Sequence, residues 1–207
     1  MAGEHTTKEL LERIRAMEHE LGLALEEKQT EFHYRWSQGK ARFEQEAIAQ
    51  HRKLKRWLPR YIAESRMLAI LSAPVIYAGM VPFVALDLFL FVYQGVCFPI
   101  YGIPKARRAD YLIFDRGHLK YLNLVERINC AYCSYANGLL AYAVEVTART
   151  EQHWCPIKHA RRLRAPHSRY QRFFDYGDAR RYREQIEALR RDFEDLVADE
   201  ANKTGKK

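Results

Sequence analysis

Cys130, Cys133, Cys155 and His159 are the side chains of this sequence best suited to chemistry, spaced C-x2-C-x21-C-x3-H. Two cysteines separated by two residues can aim both sulfurs at one ion, and a turn after Cys155 could bring His159 to the same side. Three thiolates and an imidazole match the borderline-soft preference of Zn²⁺, and a tetrahedral set of four protein ligands leaves no position for substrate. The spacing therefore predicts a structural zinc site, with iron as the other ion to consider and His153 as the other imidazole. Thiol redox chemistry at the C-x2-C pair is a separate use of the same residues. Cys97, the fourth cysteine, sits apart inside an apolar run.

A catalytic reading would draw on Asp115, Arg116, His118, Asn137, Glu145 and Glu151. An acid, a cation and a titratable imidazole within four residues could act on a phosphate ester. The same Asp-Arg-Gly-His sequence more commonly organises a turn. No nucleotide-binding loop, nucleophile elbow or HExxH motif is present, so no particular reaction is favoured.

What must position these groups begins with hydrophobicity. Between Met67 and Ile103 the only ionisable side chain besides tyrosine and cysteine is Asp87. This run exceeds the ~20 residues of one membrane helix and is shorter than two full spans with a turn. Lys53, Lys55, Arg56, Arg60 and Arg66 precede it, while Lys105, Arg107 and Arg108 follow. Basic flanks mark cytoplasmic loops, so the expectation is a re-entrant hairpin with both termini on the cytoplasmic side. Gly79-Met80-Val81-Pro82 would supply the reversal, and one kinked span is the competing geometry.

Two amphipathic segments flank this centre. Thr6-Thr7-Lys8-Glu9 reads as a capping box, followed by Leu10, Ile14, Met17, Leu21 and Leu25, with Phe32, Trp36 and Phe43 extending the stripe past a possible break near Gly39. Tyr182, Ile186, Leu189, Phe193 and Leu196 form a second stripe behind an N-cap at Asp178. The two could pair with each other, form a homodimer or receive a partner helix.

The net charge is +8, from 34 Lys and Arg against 26 Asp and Glu. Lys105, Arg107, Arg108, Arg161, Arg162, Arg164, Arg169 and Arg172, interleaved with aromatics, could grip phosphates. Beside a membrane segment, anionic phospholipid or an acidic protein partner explains this charge more economically than nucleic acid. The pattern as a whole predicts a mainly α protein. A helical arm over 1–66 leads to a membrane hairpin or kinked span over 67–103. A basic Cys/His metal domain over 104–177, a C-terminal helix over 178–200 and a disordered tail over 201–207 follow. The corresponding function is a membrane-anchored, zinc-stabilised scaffold or adaptor at the cytoplasmic face. The alternative is a membrane-associated metalloenzyme or thiol redox enzyme acting on a lipid or phosphate ester.

Overall fold

The computed structural model describes residues 2–32, 34–37 and 40–196, and the chain is mainly helical as expected. The tail expected over 201–207, and the last residues of the helix expected over 178–200, lie outside the described residues. So do the side chains of the capping box, Leu10, Ile14 and Trp36. Two compact units form, and the first, Met1–Ser65, also takes Asp115–Cys130 from the middle of the chain.

In this first unit α1 (Ala2–Glu31) precedes a two-stranded antiparallel ribbon of β1 (Tyr34–Ser37) and β2 (Lys40–Phe43). The helix expected through to Ser65 is thus interrupted around the anticipated break. The strands are rich in aromatic and β-adapted positions, and the ring pair Tyr34–Phe43 sits across the ribbon with centroids 5.6 Å apart. Phe43 packs on His51 of α2 (Gln45–Lys53), and His51 packs on Tyr121. A short α3 (Leu58–Glu64) follows, with Pro59 in its first turn where a missing N–H is tolerated. Along α1, Met17, Leu21 and Leu25 are all exposed, so the described part of its apolar stripe is uncovered.

The second unit is Arg66–Phe114 with Ala131–Lys207. Its apolar run forms α4 (Met67–Ala78) and α5 (Met80–Tyr101), together a 35-residue kinked helix long and apolar enough to cross a membrane. This replaces the hairpin with a continuous rod. Gly79 keeps right-handed helical angles, its N–H still donates to Ile76 O, and Phe83 N–H donates to Gly79 O. Pro82, near the start of α5, has no N–H and so donates no helical hydrogen bond in the rod. Without a reversal, the hairpin no longer supplies a reason to place both termini on one side.

A left-handed Gly102 (φ 67°) ends α5. Its N–H donates to Pro99 O while Ile103 N–H donates to Phe98 O, the crossed pair of bonds that closes a helix C-terminus. Phe98 and Ile103 are both buried in the core beside this cap. Through Ala106 and Arg108 the chain then runs back along the helix it has just left, and α6 (Leu124–Trp154) begins later. Asn123 and Glu126 exchange hydrogen bonds at that start, Asn123 Oδ1 accepting from Glu126 N–H and a Glu126 carboxylate oxygen accepting from Asn123 N–H. This reciprocal cap sets the first turn of α6.

Contacts advance together along α5 and α6: Asp87 meets Tyr135, Gln94 meets Tyr142, and Tyr101 meets Trp154. The two helices are therefore parallel, which requires the long return segment between them. Leu90, Phe98, Ile103, Leu112, Leu139, Tyr142, Val146 and Phe193 form the core of this unit. Gly138 is where the return segment crosses α6, since a Cβ there would lie 2.6 Å from Tyr111 O. α7 (Ala179–Arg191) is capped by Asp178, which accepts from Arg181 N–H as expected. It stops at Asp192, earlier than the continuous helix expected over 178–200, and Phe193 turns into the core.

Candidate membrane-facing site

One face of α5 is apolar and outward, the other packs on the core, and Asp87 stands between them. Phe83, Leu86, Leu90, Tyr93 and Phe98 recur at helical spacing on the packed face. Val84, Leu88, Phe91, Val92, Val96 and Ile100 are exposed. α4 has no buried residue, and Met67 and Leu68 are more than three-quarters exposed.

Asp87 is held by three donors. Arg108 Nε donates to Oδ1 at 3.0 Å and Arg108 Nη2 to Oδ2 at 2.6 Å, while the Tyr135 hydroxyl donates to Oδ2 at 2.9 Å. This paired, bidentate geometry is the strong form of a carboxylate–guanidinium contact. Two turns along, buried Gln94 clamps the return segment: its Oε1 accepts from Ala106 N–H at 2.7 Å and its Nε2 donates to Ala106 O at 3.1 Å. The same Nε2 also donates to the Tyr142 hydroxyl oxygen at 3.0 Å. Every backbone polar group so matched lowers the cost of laying irregular chain beside an apolar helix. Between these two polar clusters and the outward apolar face lies an open groove of about 580 Å³, walled by Val84, Leu88 and Phe91 on one side and Arg108, Tyr135 and Tyr142 on the other.

A second, polar cavity of about 250 Å³ is lined by Arg107, Arg149, Arg169 and Arg172 with Asp110, Glu145 and Asp195. Arg149 donates to Glu145 at 2.7 Å and to Pro104 O at 2.9 Å, and Ser168 donates to the other Glu145 oxygen. Arg169 is only 2% exposed, and its two terminal nitrogens each donate to Asp195 at 3.1 Å while its Nε donates to Gln152 Oε1. Arg172 bonds both Asp195 and Asp192. Burial works to raise the Asp195 carboxyl, but these arginine hydrogen bonds prevail and hold it below its ordinary range. Most of this cavity's charge is thereby matched internally.

The eight basic residues read from the sequence therefore divide. Arg108, Arg169 and Arg172 are ion-paired within the unit. Lys105, Arg107, Arg161, Arg162 and Arg164 are exposed, and no ion pair forms on them among the described residues. Arg149 and Gln94 were not singled out by sequence reasoning. A lone arginine or glutamine inside an otherwise apolar helical stripe is the signal that could have found them.

The four proposed metal ligands are not brought together. Cys130 and Cys133 lie one turn apart on α6, but Cys155 follows its other end, 22 positions beyond Cys133, about 33 Å at the α-helical rise. Bonds of about 2.3 Å to one ion cannot bridge that separation. The expected metal domain required the chain to fold back between the half-sites, and that stretch is uninterrupted helix instead. His159 stacks on Tyr170, and His153 packs between Tyr101 and Trp154, so neither imidazole closes the set. Among the described residues no three His, Cys, Asp or Glu side chains gather as a metal-binding group. Asp115–His118 form a single 3₁₀ turn. Glu151 meets His167 at 3.0 Å, and Glu145 belongs to the arginine network, so these acids are engaged in structural contacts. No family model matches the chain, and no curated protein or solved structure is similar to it.

Proposed function

We propose that this protein is a membrane-anchored adaptor, held in the bilayer by α4 and the first part of α5. The observation that carries the proposal is the exposure of a long apolar helix that the rest of its own unit covers only on one face of α5 and, through Tyr132, at the end of α4. Burial in a soluble core would have removed those side chains from solvent, which is the dominant gain available to them in water. Met67 to Leu86 is a 20-residue stretch without an ionised side chain, about 30 Å long as a helix, which equals the hydrocarbon thickness of a bilayer. Asp87 with Arg108 then marks the polar boundary.

In this reading the exposed Lys105, Arg107, Arg161, Arg162 and Arg164 meet anionic headgroups, and each such residue near the surface adds about 1 kcal/mol to binding. The uncovered stripe of Met17, Leu21 and Leu25 on α1 is the surface offered to a protein partner. Neither zinc nor iron enters the proposal, because about 33 Å of helical rise separates Cys133 from Cys155. Washing membranes from expressing cells with alkaline carbonate tests the anchor. Retention in the pellet is the expected result, and release into the supernatant would refute the proposal.

A further inference from the structure

The groove beside Asp87 is built from hydrogen-bond donors facing an apolar wall. Both Asp87 oxygens already accept from Arg108 or Tyr135, so they offer little to a ligand. Arg108 uses Nε and Nη2 on that carboxylate, and Nη1 is not part of that fork. Its side chain is 47% exposed. Tyr142 accepts from Gln94, so its own proton points elsewhere, and no acceptor for it lies among the described residues. This tyrosine is 3% exposed, which makes an unused O–H there costly unless something fills the groove. The matching ligand carries acceptor oxygens at one end and hydrocarbon at the other.

We infer that the groove holds one phospholipid of the surrounding bilayer, its phosphate and ester oxygens on Arg108 and Tyr142 and an acyl chain along Val84, Leu88 and Phe91. This rests on the membrane reading above, because only a protein in lipid presents that wall to acyl chains. A partner's transmembrane helix is the poorer fit, since its backbone carbonyls are already bonded within the helix. A water-soluble phosphate would leave the apolar wall bare.

The test is native mass spectrometry of the full chain, delipidated in detergent and titrated in separate arms with phosphatidylglycerol and with glycerol 3-phosphate. Two variants accompany it. Arg108→Lys keeps a cation beside Asp87 but removes the second arm of the fork, and Leu88→Trp fills the groove from an exposed position without touching the core. The expected result is one phosphatidylglycerol per chain, weakened about tenfold or more by either substitution, equivalent to about 1.4 kcal/mol, with no binding of glycerol 3-phosphate. Equal occupancy in wild type and both variants would overturn the inference, as would no bound lipid in a protein that still inserts into nanodiscs. Binding of glycerol 3-phosphate alone would assign a soluble ligand, and a co-purifying polypeptide in place of lipid would assign a helix partner. Either result overturns the lipid assignment. Failure to enter nanodiscs at all is a distinct result that removes the membrane reading itself.

Discussion

Arg169 illustrates how a surface-type residue becomes internal. Its guanidinium joins α6 through Gln152 to the segment after α7 through Asp195 and the Asp192 carbonyl, and it lies 4.9 Å from the centre of the Phe193 ring. Gln152 is fully buried and also donates to Leu189 O and Asp192 O, so this network closes the C-terminal end of α7 on α6. Arg169→Met is expected to destabilise the protein by about 2–4 kcal/mol in chemical denaturation, because it strands the Gln152 carbonyl and part of the Asp195 carboxylate. Arg161→Met, on an exposed side chain without an ion pair, is expected to change stability by less than about 0.5 kcal/mol. The sequence displays both residues as members of one basic cluster. What separates them is one acid, Asp195, 26 positions downstream of Arg169, and charge density carries no record of that pairing. The metal spacing failed for a related reason: C-x2-C and C-x3-H are each local patterns, whereas the distance between them depends on whether the intervening chain folds back.

At the level of elements, α6 was legible in pieces. In the sequence Leu122, Val125 and Ile128 share one helical face and Asn123 with Glu126 fits a capping pattern, but the uninterrupted length to Trp154 follows from tertiary packing on α5. Gly138 is the clearest mark of that packing. Gly138→Ala would place a methyl against backbone atoms of Tyr111 and Leu112, which cannot move aside as a flexible side chain could. The expected cost is about 1–3 kcal/mol, visible as a lower thermal midpoint, despite the better intrinsic helix propensity of alanine. The kink at Gly79 was legible as a location and not as a geometry, since Gly and Pro within four residues suit a reversal or a bend equally. α7 shows the same split: Ile186 within it and Phe193 beyond it are both buried, but the stripe expected to join them on one helix is broken at Asp192.

The end of α6 also carries a pH response. Burial, and then the positive charge of Arg190, push the His153 imidazole below its ordinary value of 6.5, opposed by the hydrogen bond with Arg190 and, more weakly, by Glu187. Its Nδ1 is buried and has no hydrogen-bond partner among the described residues, so a proton there would lack an acceptor among them. The unfolded chain therefore binds the proton more readily than the folded one. Stability from this group is fully present above about pH 6.5 and declines as the pH falls through the lower folded-state value. His153→Phe, which preserves a ring against Tyr101 and Trp154, is expected to flatten the fall in thermal midpoint between pH 7 and pH 5. An unchanged slope would remove His153 as its source.

For the whole molecule, the decisive division is between apolar surface that folding uses and apolar surface that it leaves over. Composition located the Met67–Ile103 run but could not say that α5 contributes Leu90 and Phe98 to the core while α4 contributes nothing. Deleting the run would therefore confound anchoring with folding, because the second unit would lose part of its interior. Substituting Leu68, Leu71, Val75 and Val81 by Gln acts only on side chains at least two-thirds exposed or close to it. Glutamine retains high helix propensity, so the helix itself should persist. Four amides placed in hydrocarbon would each cost on the order of 1 kcal/mol or more, enough together to reverse the partition. The quadruple variant is expected to lose carbonate-resistant membrane association and to become extractable in buffer. Its thermal midpoint in detergent should stay within a few degrees of wild type, because the Asp87–Arg108–Tyr135 cluster and the core beyond it are untouched. Undiminished membrane association of this folded variant would show that attachment arises elsewhere, with the five exposed basic residues as the next surface to neutralise.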